Sequence, residues 1–86
     1  MFGQDMYTEK AMATIREERA RQGKGLETLA EEISDLLQLE PGKRLTFFRL
    51  RAMEQGMTRD VPFPIVIAAG IVLQIPALEL IPALDA

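Results

Sequence analysis

The chain has no cysteine and no histidine. Without cysteine there is no disulfide framework and no thiolate metal site. Without histidine the usual acid–base group near neutral pH is missing, along with the commonest transition-metal ligand. A metal would need an all-oxygen site, and no calcium-loop spacing occurs. No glycine-rich phosphate loop is present. The acid pairs Glu17-Glu18 and Glu31-Glu32 are adjacent in sequence, and adjacent helical side chains diverge by about 100°, so they do not form an acid/base couple. The chain is therefore expected not to be an enzyme, to carry no cofactor or metal and to act on no small-molecule substrate.

Neither a membrane span nor an export signal is expected. Residues 61–73 carry no charge, but a span needs about 20 apolar residues, and the continuation brings in Gln74, Pro76, Glu79 and Pro82. The opening MFGQDMYTEK has no basic stretch followed by an apolar one, so the expected location is the cytoplasm and no membrane partner is expected. With 86 residues, 48% of them apolar, one domain over 1–86 is expected, with residues 1–7 as a flexible terminus. A domain this small buries only about 60–65% of its unfolded surface. A homodimer interface is a natural source of further stability.

What is present is helical patterning and segregated charge. The net charge of −3 argues mildly against nucleic acid. The distribution argues for it: Glu27, Glu31, Glu32, Asp35 and Glu40 make 27–40 acidic, while over 43–59 Lys43, Arg44, Arg49, Arg51 and Arg59 face Glu54 alone. Salt screens charges beyond about 8–10 Å, so a local basic face can hold phosphates on an acidic protein. The plainer alternative is that 43–59 is a solvated helix face.

Apolar spacing predicts a first helix over 6–22 with Ala11, Met12 and Ile15 inward, ended by Gly23-Lys24-Gly25. A second is predicted over 26–39, where Leu26, Leu29, Ala30, Ile33, Leu36 and Leu37 form a stripe opposite an acidic face. Glu40-Pro41-Gly42-Lys43 is a turn. A third helix is predicted over 45–55 with Thr46 as a candidate cap, then a fourth over 64–74 and a short fifth over 76–81. The fold class is all-α, with four to five short helices. The stretch 64–75 is open to a strand as well, although Pro62, Pro64 and Pro76 favour helical turns. A helix apolar on all sides is usually buried all round, which points to a core and a dimer interface together.

Two stretches resemble the Cro/repressor-type (Xre-like) helix-turn-helix transcriptional regulators. The first is Ile15-Arg16, Arg19, Gly23, Leu29-Ala30 and Ile33, which match the family's first two helices in type and spacing. The second is Met53-Glu54-Gln55-Gly56, then Pro62 or Pro64, Ile67-Ala68, Ile71, Leu73, Ile75 and Leu78, which looks like the end of the third helix with the fourth and fifth. Between them lies an atypical insertion of about ten residues. The resemblance implies a lambda-repressor-like helix-turn-helix fold and a homodimeric, sequence-specific regulator that binds double-stranded DNA.

It implies site residues too. The third helix would enter the major groove with its N-terminal part leading, with Lys43, Arg44 and Thr46 at that entrance against phosphate. Arg49 and Arg51 would reach base edges, and Phe48 a thymine methyl unless it packs in the core, which is the expected place for Phe47. Thr28 would lie on the helix that crosses the backbone, and Ile75, Leu78 and Ile81 in the dimer interface. The rival expectation, from the acidic second helix and the apolar C-terminal third, is a helical protein-interaction module without DNA binding, such as an antirepressor, antitoxin or assembly factor.

Overall fold

Apolar stripes at helical spacing become five α-helices among the described residues, which are 2–58 and 61–80, with side chains from residue 8 onward. In this computed structural model they are α1 (Phe2–Gln22), α2 (Leu26–Leu36), α3 (Phe47–Glu54), α4 (Phe63–Leu73) and α5 (Ala77–Leu80), with a 3₁₀ turn at Pro41–Lys43. No strand occurs among the described residues, and the domain is all-α. The uncharged stretch after Val61 is therefore helix: Pro62 flanks α4 and Pro64 falls in its first turn, where an amide donor is not needed. No helix among the described residues is long and apolar enough to cross a membrane.

The core joins all five helices. Ala11, Met12 and Ile15 of α1 meet Leu29, Ala30 and Ile33 of α2, Leu50 and Met53 of α3, the inner residues of α4, and Leu80 of α5. α4 packs on both α1 and α2, α3 packs on the same two helices, and α5 closes against α1. Gly70 lets α5 approach closely, since a Cβ there would lie 2.6 Å from Leu80 Cδ2. Gln22 ties α1 to α4 by donating from Nε2 to the Leu73 carbonyl at 2.8 Å, one of the carbonyls left open at the end of α4.

Three boundaries differ from the sequence expectation. α1 begins at Phe2, ahead of the start at residue 6 that the apolar spacing predicts. α2 stops at Leu36, short of residue 39, and Leu36 itself is 46% exposed, while Leu37 at the cap still packs on the core. α3 starts at Phe47, because Leu45 is a core residue held outside the helix. Its backbone N–H donates to Ser34 Oγ at 2.9 Å, and that hydroxyl donates to the Ala30 carbonyl at 2.8 Å. Ser34 is fully buried with both roles satisfied, and this joint fixes where the connector leaves α2 and enters the core.

The early end of α2 has a local cause. Gln38 lies in the left-handed region (φ 54°), its N–H donates to the Asp35 carbonyl, and the Leu39 N–H donates to Ser34. The same paired closure ends α1 at Gly23, α3 at Gly56 and α4 at Gln74 (φ 60°). Glycine advertises such an end in sequence; glutamine does not.

α1 and α3 are locked by an ion pair. Arg19 Nε donates to Glu54 Oε2 at 2.8 Å and Nη2 to Oε1 at 2.9 Å, while Nη1 donates to the Lys24 carbonyl at 3.0 Å. The Glu54 side chain is only 2% exposed and that of Arg19 17%. The geometry is the two-pronged arrangement that suits guanidinium and carboxylate. Hydrogen bonding to Glu54 raises the Arg19 pKa above its ordinary value, so the guanidinium remains charged wherever the fold persists. Elsewhere on α1, hydrogen bonds from Arg21 and Gln22 hold the Glu18 carboxyl down at about 2.

These contacts make two stability predictions. Gln38→Gly removes the strain of a left-handed non-glycine residue and is expected to stabilise the fold by about 1 kcal/mol in urea unfolding; a lower stability would contradict the closure described. Arg19→Ala leaves a buried carboxylate without its partner and is expected to cost about 3–5 kcal/mol. Glu54→Ala should cost less, because Arg19 can turn its head group to water. An Arg19→Ala variant within about 0.5 kcal/mol of wild type would mean that the pair is not a lock.

Candidate nucleic-acid interface

α3 has only eight residues, too few to be stable alone, so its position is set by what holds it. At its start Thr46 Oγ1 accepts from the Arg49 N–H at 3.1 Å, the cap expected from sequence. Leu50, Met53 and Glu54 are buried, facing α1 and α2. The other side is left to solvent: Phe48, Arg49, Arg51 and Gln55 are exposed, and Ala52 is half-buried between them. Phe48, which sequence left between core and surface, is 75% exposed. Phe47 is half-buried and meets the Phe48 ring edge to face, with centroids 5.2 Å apart and planes at 80°.

The burial of Glu54 changes the electrostatics of this face. Glu54 is the one acid over 43–58, and Arg19 neutralises it inside the domain. Lys43, Arg49 and Arg51 are exposed and have no ion-pair partner among the described residues. Arg44 differs from its expected role at the helix entrance. It turns back onto α2, with Nη2 donating to Asp35 Oδ1 at 2.7 Å and to the Glu31 carbonyl at 3.3 Å. It works as a clamp between the connector and α2, and its charge is largely matched by Asp35. Arg59 lies outside the described residues.

On α2, Thr28 is exposed, with acidic neighbours in sequence. Lys24 Nζ pairs with Glu32 Oε1 at 2.6 Å, and Asp35 is taken by Arg44. Glu27 and Glu31 remain exposed without a cation among the described residues. With Arg44, Leu45 and Phe47 they line an open groove between α2 and the start of α3. The acidic and basic surfaces are thus immediate neighbours.

The expected dimer residues are not alike. Ile75 is half-buried against the core, Leu78 is 53% exposed, and Ile81 lies outside the described residues. α4 is not buried all round: Phe63 is 56% and Ile71 60% exposed. Ile71 and Leu78 are thus both exposed apolar residues of the C-terminal third.

Sequence reasoning missed the Arg19–Glu54 lock. Its signal was a single acid in an otherwise basic segment, at a helical position shared with buried Leu50 and Met53. Comparison with family models, with curated proteins and with solved structures yields no match for this chain.

Proposed function

We propose that the chain is a small helix-turn-helix DNA-binding protein of the Cro/repressor type, acting in the cytoplasm as a homodimer, with α3 entering the major groove of duplex DNA. The observation that carries this reading is the exposed cationic face of α3, whose single acid is withdrawn into the Arg19 pair. Three further features support it. The residues of that pair belong to the two stretches that carry the family resemblance. Thr46 and Lys43 stand at the start of α3, where amides, a hydroxyl and an ammonium suit phosphate. Arg49 and Arg51 are long, exposed donors on either side of the helix.

The acidic α2 sets the conditions. Glu27 and Glu31 beside the start of α3 repel phosphate, so affinity is expected to be modest and steeply salt-dependent. Binding to random-sequence duplex DNA, measured against salt, is the test. Each of Arg49→Ala and Arg51→Ala should leave folding within about 0.5 kcal/mol of wild type. If the arginine contacts phosphate, affinity should fall on all sequences and the salt slope flatten by about one unit. Glu27→Gln with Glu31→Gln should tighten binding. A wild type that does not bind duplex DNA at low salt overturns the reading.

Homodimerisation is proposed through exposed Ile71 and Leu78; to read two half-sites, such a dimer must hold its α3 helices about 34–36 Å apart, one turn of DNA. Sedimentation at micromolar concentration should give a dimer, weakened by Leu78→Asp; a monomer throughout contradicts it. The same exposed Phe63, Ile71 and Leu78 favour the second reading, a protein-interaction module, which takes over if DNA binding fails.

A further inference from the structure

We infer that α3 draws its sequence preference from the 5-methyl groups of thymine, with Phe48 as the residue that selects them; the inference rests on the duplex-DNA reading above and narrows it. The exposed face of α3 is ordered across its width. Phe48 and Ala52 lie one helical turn apart along the middle, with Gln55 at the far end of the same line, Arg51 on one side and Arg49 on the other. The leading part of the middle strip, which meets the floor of a groove when a helix enters it, therefore carries no hydrogen-bonding side chain; Gln55 stands at the trailing end. The two arginines stand at its flanks, towards the phosphate walls.

Phe48 is the outermost point of that strip. It is 75% exposed in the first turn, the end that leads into the groove. Its ring is backed edge to face by Phe47 at 5.2 Å, a favoured aromatic geometry that limits its swing and presents a fixed apolar surface. Phenylalanine has neither donor nor acceptor, so it cannot read the polar pattern of a base pair. The apolar group that the major groove offers is the thymine methyl. Uracil lacks that methyl, and A-form RNA has a major groove too narrow for side chains to read, so the same surface discriminates against double-stranded RNA.

The test removes the methyl and nothing else. Duplexes enriched by the wild type from a random-sequence library are remade with deoxyuridine in place of single thymines, which leaves base pairing intact. At one or two positions affinity should fall about fourfold, the equivalent of about 0.8 kcal/mol for one buried CH₂-sized group. Phe48→Ala should bind thymine and deoxyuridine duplexes equally, with the wild-type salt slope, circular dichroism and melting temperature, since the side chain is exposed. Salt-dependent duplex binding with no thymine sensitive to methyl removal overturns the inference and leaves the DNA reading standing. A Phe48→Ala variant that keeps the thymine preference overturns the role of Phe48. Absence of salt-dependent duplex binding by the wild type removes both.

Discussion

The Arg19–Glu54 pair is the constraint on which the arrangement depends. α3 is a two-turn helix that cannot sustain itself, and the pair fixes its end to the longest helix of the domain. A buried ion pair is weak evidence of stability in itself, because taking two charges out of water offsets most of their attraction. Its effect here is positional. Only one rotation of α3 about its axis brings Glu54 to Arg19 and Leu50 and Met53 into the core, and that rotation leaves Phe48 and Arg51 in solvent. The third guanidinium nitrogen binds the Lys24 carbonyl, so the turn between α1 and α2 is held by the same side chain. One arginine thus sets three elements, and a change at Arg19 acts on the exposed face without touching it.

The sequence carried the helices better than their ends. Stripes such as Leu29-Ala30-Ile33 and Leu50-Met53 were legible because spacing of three and four residues leaves little alternative to a helix with one buried face. The ends at Gly23 and Gly56 were legible because glycine accepts a left-handed backbone. The end of α2 was not, because Gln38 takes that conformation without the residue type that announces it. The start of α3 was hidden differently: Leu45 has the apolar character of a helix residue but is held in extended connection by Ser34. The cation face was partly legible. The basic composition of the segment is plain, but the diversion of Arg44 to Asp35 and the withdrawal of Glu54 depend on tertiary contact.

The net charge of −3 is a poor guide to what this surface can hold. At physiological salt, charges more than about 8 Å apart are largely screened. A phosphate beside α3 therefore responds to the nearest groups: Lys43, Arg49 and Arg51 for, Glu27 and Glu31 against. The remaining acids of α2 are already matched, Glu32 by Lys24 and Asp35 by Arg44. The balance between a DNA surface and its rival comes down to a few side chains around one groove.

The C-terminal third supplies the opposite kind of surface. α4 has no charged residue, and a helix with no polar side to offer must leave something apolar in water when the core is small. Ala68, Ala69 and Leu73 are buried in the core, where α4 packs on α1 and α2; Ile71 is 60% exposed. Scattered exposed apolar residues are ordinary on soluble domains and by themselves ask for no partner. Ile71 differs because α5 is brought down onto α4 at Gly70, which places it on a region whose other lining residues, Ile67, Ile75, Ala77 and Leu80, are apolar too. Charge is concentrated on α1 to α3 and almost absent from α4 and α5. The exposed charge of the domain is therefore set by α1 to α3 and its exposed apolar surface in the C-terminal third by α4 and α5.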